Sequence, residues 1–215
     1  MLNLNNINIL SVLFFYIIIF KLKLTQKQLT AYHETGHSVF AWLIGYYSHE
    51  VTIKPSKNSL GYEKSDPNLI SYMEFGLSKD GTKEAKWKLV EGLFFRIMQY
   101  SAGLIAEEIV SEKNRVKFNR KERWYKTSSS PGTDIYEMGS LALSLKKEPN
   151  IQLKVQNLAT DLTKEWLIEY WDKVEIMFKE LFKKDALYKK DIKRILGISP
   201  ELRMPEKLLN TISLT

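Results

Sequence analysis

With 215 residues, 44% of them hydrophobic and 27% charged, the chain has room for one globular domain with a sizeable core. It contains no cysteine, which excludes disulfides, thiolate catalysis and Cys-held zinc, so any transition metal has to be held by histidine and carboxylate. A net charge of +7 and a pI near 9.3 give only a general bias towards anionic surfaces, and no GxxxxGK[ST] occurs, so these residues hold no Walker-type nucleotide site.

The chain opens on a hydrophobic run. From Ile7 to Phe20 it is apolar but for Asn8, Ser11 and Tyr16, enough for about 21 Å of helix against a bilayer core of roughly 30 Å. Extension back to Leu2 lengthens it sufficiently, at the cost of including asparagines. Neither the positive start nor the small-residue end of a signal peptide is present. Lys21, Lys23 and Lys27 follow the run. Residues 1–24 are therefore expected to be a membrane anchor spanning through residues 7–20. The positive-inside rule then puts the rest on the cytoplasmic or organelle-interior side, with a cytoplasmic protein as the alternative.

The next stretch, Thr30-Ala-Tyr-His-Glu-Thr-Gly-His37, contains His-Glu-x-x-His and uses two of the chain's three histidines. On a helix, residues i and i+4 share a face, so His33 and His37 can address one metal, with Glu34 beside them to take a proton from a metal-bound water. Thr25-x-x-Gln28 reads as a capping box that opens this helix, and Gly45 as its stop. Leu29, Tyr32, Val39, Phe40, Leu43 and Ile44 give it faces to bury.

After Gly45, Val51 and Ile53 alternate in a short strand ended by Pro55. Pairing is expected to resume at Gly61-Tyr62, with a further strand near Tyr72 to Leu77. Val51, Thr52 and Ile53 are the candidate edge for holding a substrate backbone by strand addition. His49, just before the strand, reads as exposed rather than as a ligand. Residues 82–111 form a long helical pattern with Ser101-Ala-Gly103 at its middle, small enough for another helix to approach closely. Glu107 and Glu108 follow on it, as candidates to orient a metal-bound histidine or to ligate the metal themselves. The basic run from Lys113 to Lys126 reads as a solvated loop, and nucleic acid is not expected as a partner.

Thr133 to Leu145 is a helix with Asp134 in its first turn, where the helix dipole favours an acid. Ile151 to Phe182 reads as one amphipathic helix, Leu187 to Leu196 as a short last helix, and residues 198–215 as a loose tail. A catalytic zinc needs a third protein ligand. A glutamate donor points to Glu107 or Glu108, an aspartate donor to Asp134.

Taken together these stretches resemble the peptidase domain of the FtsH-type membrane proteases. AYHETGHSVFAWLIG is similar to the metal helix of that family, with Thr35 where alanine is usual. HEVTIKP followed by LGY resembles its strand and turn. SAGLIAEEIV is similar to its Gly-Gly-Arg-x-Ala-Glu-Glu helix, with Gly103 kept and Leu104 in place of the arginine. GTDIYEMGSLA resembles the segment whose aspartate completes the zinc site, and WDKVEIMFKELFKKDALYKKDI the end of the domain. The resemblance covers residues 29–196 in consistent order.

It implies a mainly α fold with a small β element, a zincin-type helical bundle over residues 25–197. It also implies Zn2+ as cofactor, held by His33, His37 and Asp134, with Glu34 as general base. The expected activity is metalloendopeptidase action on peptides or unfolded protein. The ATP-driven module that family members carry is expected to be absent, supplied if at all by a separate AAA ATPase or FtsH-type partner, and the resemblance implies homo-oligomers as in the family. A catalytically silent adaptor subunit of AAA proteases is the alternative.

Overall fold

The computed structural model describes residues 24–57, 59–64, 83–120, 122, 133–145 and 149–204. Residues 1–23 of the expected membrane anchor, the strand near Tyr72 to Leu77, residues 121 and 123–126 of the basic run and residues 205–215 lie outside these. Among the described residues no helix is long and apolar enough to cross a membrane.

Helix α1 spans Gln26–Leu43, and its capping box forms as the residue types require: Gln28 N donates to Thr25 Oγ1 at 3.2 Å and Thr25 N to Gln28 Oε1 at 2.8 Å. The chain leaves the helix at Ile44 and turns at Gly45, whose φ of 93° lies in the left-handed region. Every residue of α1 from Val39 to Leu43 is buried, which a surface helix would not tolerate. The burial comes from four sides. Helices α2 (Lys83–Lys113) and α5 (Trp171–Lys184) pack along it, α4 (Pro149–Glu169) touches it, and the strands Glu50–Thr52 (β1) and Tyr62–Lys64 (β2) contact it.

Aromatic packing fixes two of these contacts. Tyr32 stacks on Phe178 of α5 with ring centroids 3.9 Å apart, and its hydroxyl donates to Glu175 at 3.1 Å. Phe40 stacks on Trp166 of α4 at 6.0 Å. Helix α2 in turn packs on α4 and on α3 (Asp134–Leu145).

The β element is a three-stranded antiparallel sheet in the order β2-β1-β3, formed by Glu50–Thr52 (β1), Tyr62–Lys64 (β2) and Ala186–Tyr188 (β3). Val51 stands opposite Glu63 on one side and Leu187 on the other. Helix α6, Lys189–Leu196, follows β3 directly. The architecture is the expected one, mainly helical with a small β element.

Three details differ. Ile151 to Phe182 is two helices rather than one, broken at Tyr170 (φ −106°, ψ 29°), where Trp171 is buried at the start of α5 and Tyr170 meets Trp42 edge-on. Leu187 belongs to a strand rather than to the last helix, because Asp185 in the left-handed region (φ 62°) ends α5 and turns the chain to pair with β1. Residues 199–204 are not loose: Leu202 N donates to Leu43 O at 2.7 Å and Met204 is buried.

Candidate metal centre and cleft

His33 and His37 lie one turn apart on the same face of α1, and Asp134 is the first residue of α3. Although 101 residues separate His33 from Asp134, His33 Nε2 is 2.9 Å from Asp134 Oδ2, His37 Nε2 is 3.2 Å from the same oxygen, and the two Nε2 atoms are 3.1 Å apart. Among the described residues these three form the group able to hold a metal ion.

The outer ring nitrogens decide what the inner ones carry. His33 Nδ1 faces Glu107 Oε1 at 2.8 Å, and His37 Nδ1 faces the carbonyl oxygen of Gln99 at 2.6 Å. A carbonyl and a carboxylate accept, so both Nδ1 atoms must donate. In neutral imidazoles that leaves a lone pair on each Nε2, aimed at the other and at the carboxylate of Asp134. Three such atoms within about 3 Å of one another favour a cation among them, a metal ion or, without one, a proton. A four-coordinate zinc with bonds of about 2.0–2.2 Å separates its ligands by roughly 3.3–3.5 Å, a few tenths more than the spacing here, so the donor set fits such an ion with little adjustment.

The same electrostatics govern proton affinity. Burial disfavours charge on His33, but the hydrogen bonds to Asp134 and Glu107 outweigh it and raise its pKa well above the usual value. His37 is raised likewise, Asp134 prevailing over burial. Burial would lift Asp134, yet the two imidazoles hold it well below the ordinary carboxylate range. Glu34, 7% exposed, is pushed up to about 7 by burial, only partly offset by His33 and His37.

Close approach makes the geometry specific. Gly103 of α2 lies directly under the imidazoles: a Cβ there would stand 2.5 Å from His37 Nε2 and 2.6 Å from His33 Nε2. The small-residue stretch expected to admit a neighbouring helix does so at the metal centre itself. Gly61 brings the start of β2 over Glu34, since a Cβ on it would meet Thr52 O at 2.7 Å and Glu34 Cγ at 3.1 Å.

The triad opens into a cleft of ≈ 480 Å³. Besides His33, Glu34, His37 and Asp134, its walls are Ser59, Gly61, Tyr62 and Glu63 from the β2 side and Arg96, Gln99, Tyr100 and Leu104 from α2, with Thr133 at the rim.

The other candidate residues fall elsewhere. Glu107 contacts the back of His33 and is buried. Glu108, its neighbour, accepts from Arg120 Nε at 2.7 Å and from Lys164 Nζ at 2.8 Å, so it is turned away from the metal centre and paired with bases. The candidate substrate strand Val51, Thr52 and Ile53 is corrected by the sheet order. β1 is the middle strand, Ile53 N donates to Asp185 O, and both edges of β1 are taken, whereas β2 is paired on one side only among the described residues. His49 is exposed, and its N–H is bonded to Lys64 O.

Gln99, Arg96, Tyr100 and Glu63 were not apparent from the sequence. Gln99 sits four residues before Gly103 as Glu107 sits four after it, so once Gly103 is placed under the histidines the helical period identifies both.

No family model matches the chain. It is similar to the mitochondrial inner membrane m-AAA protease component YTA10 of Saccharomyces cerevisiae, 26% identical over 195 residues that cover 81% of this chain and 24% of that protein. It is also similar to the ATP-dependent zinc metalloprotease FtsH of Karelsulcia muelleri, 28% identical over 188 residues covering 81% of this chain and 30% of that protein. The FtsH of Rickettsia typhi matches at 33% identity over 97 residues, 42% of this chain and 12% of that protein. The chain thus spans less than a third of the length of these relatives.

Proposed function

The chain is related to the FtsH-type zinc metalloproteases, and from that premise we propose that it is a zinc-dependent metalloendopeptidase. The observation that carries the reading is the convergence of three possible ligand atoms, from His33, His37 and Asp134, beside a buried glutamate in an open cleft. His33, His37 and Asp134 would hold the ion, with Glu107 and the Gln99 carbonyl fixing the tautomer and tilt of the two rings. A zinc ion held there would supply a Lewis acid for the scissile carbonyl and for the attacking water.

Glu34 then has the proton-handling role. Its carboxylate lines the cleft beside the three ligands, where it could take a proton from water and deliver it to the leaving amine. The substrate backbone would lie along the outer edge of β2, Tyr62–Lys64, which passes over Glu34 and lines the same cleft. Substrates would be peptides or already unfolded segments, because an extended backbone is what a strand edge accepts. Residues 7–20 would tether the domain to a membrane, which fractionation of the full chain against one lacking them would test.

The function is tested with quenched fluorescent peptides on the zinc-loaded protein. Turnover in wild type and its loss in Glu34→Gln, with zinc content unchanged, supports the mechanism. Undiminished turnover in Glu34→Gln would sink it.

A further inference from the structure

We propose that Tyr100 is a catalytic residue, its hydroxyl donating a hydrogen bond to the carbonyl oxygen of the scissile bond; this rests on the peptidase reading above. Tyr100 lines the cleft together with Glu34 and the three candidate ligands. It precedes Gly103 by three residues on α2, and residues three apart share a helix face, with Cβ atoms about 5–6 Å from one another. A Cβ at Gly103 would stand 2.5 Å from His37 Nε2 and 2.6 Å from His33 Nε2. The Tyr100 side chain therefore starts within about 9 Å of both nitrogens, close enough for a phenol to meet a peptide bound at the metal centre.

The hydroxyl is prepared to donate. Arg96 Nη2 donates to it at 2.8 Å, and the guanidinium Cζ lies 4.4 Å from the centroid of its ring. An arginine only donates, so the phenol oxygen accepts there and its own proton is left for another acceptor. Among the described residues none takes it. A hydroxyl that accepts from a cation is polarised into a stronger donor. Burial pushes its pKa above the ordinary value, opposed by Arg96 and reinforced by Glu137 and Asp134, so the proton is in place at neutral pH. A strand edge bonds one side of an extended peptide and leaves the carbonyls that point the other way without a donor. The scissile carbonyl oxygen gathers negative charge as water adds to its carbon, and a preplaced hydroxyl stabilises that charge without transferring its proton.

The test compares cleavage of a quenched fluorescent peptide by zinc-loaded wild type and Tyr100→Phe, which keeps the ring and removes the hydroxyl. Tyr100→Phe is expected to lose about 10- to 100-fold in kcat, with KM within about threefold of wild type and zinc content unchanged. A second variant separates donation from packing. With a fluorinated tyrosine of lower pKa at position 100, kcat falls off towards alkali at a lower pH than in wild type, because the donor proton is lost earlier. Undiminished kcat in Tyr100→Phe, a loss confined to KM, or an alkaline fall that fluorination leaves in place overturns the proposal.

If no peptide is cleaved, a phosphinic peptide, with an anionic tetrahedral phosphorus group in place of the scissile carbonyl, is bound to zinc-loaded wild type and Tyr100→Phe by calorimetry. Binding about tenfold or more tighter to wild type then supports the donor although the peptidase reading has failed. Equal affinity, or no binding to either, overturns the donor as well.

Discussion

Glu107 holds His33 by the ring nitrogen that faces away from the metal centre, at 2.8 Å. The pair fixes which nitrogen of His33 is protonated, and so that its Nε2 presents a lone pair to the ion. Glu107→Ala is expected to weaken zinc binding by about 10- to 100-fold. Glu107→Gln keeps an oxygen to accept from Nδ1 and should lose much less. Competition against a chromophoric chelator measures both.

Gly103→Ala is expected to empty the site. By helix propensity alone the change favours α2 by about 1 kcal/mol. The added Cβ, however, would stand 2.5 Å from His37 Nε2 and 2.6 Å from His33 Nε2, too close for both rings to keep their places. Zinc content by atomic absorption should fall with the helical circular dichroism intact. A variant that retains full zinc would show that the rings have more freedom than the packing allows.

Glu34 makes the metal-free protein pH-sensitive. Its folded pKa, about 7, lies above the ordinary 4.5, so the stability it contributes is fully present below 4.5 and is lost as pH rises through 7. The loss at pH 8 is on the order of 3 kcal/mol. Glu34→Gln carries no such charge. Its melting temperature in chelator should therefore exceed that of wild type at pH 8 by clearly more than at pH 4.5. The same difference at both values would place Glu34 in a wetter environment.

Among the described residues the hydroxyl of Thr35, one residue from Glu34, is buried and has no hydrogen-bond partner. A buried hydroxyl left unbonded costs about 1–3 kcal/mol. Thr35→Val keeps the branched shape and removes that cost, so urea unfolding should show stabilisation of about 1–2 kcal/mol with zinc affinity unchanged.

How much of this was legible in the sequence follows the range of the signals. The His33–Glu34–His37 face and the Thr25–Gln28 cap are local, set by helical period and residue type, and the structure forms both. Asp134 could be placed only by resemblance, since spacing left Glu107 and Glu108 open beside it. The structure separates those two because adjacent residues on α2 point about 100° apart, one towards His33 and the other to Arg120 and Lys164. The break at Tyr170 has no glycine or proline to mark it and follows from packing against Trp42. Strand β3 has three residues, too short for alternation to register, and it is what makes β1 the central strand. The wall of Arg96, Gln99 and Glu63 joins α2 to β2, a juxtaposition that no sequence period carries.

The central claim is that His33, His37 and Asp134 bind one zinc ion together. The most direct measurement is zinc stoichiometry by mass spectrometry of the wild-type protein beside His37→Ala and Asp134→Ala. One zinc per chain in wild type, lost in both variants with the helical fold retained, is the predicted result. Zinc retained at full stoichiometry and affinity in Asp134→Ala would contradict the account.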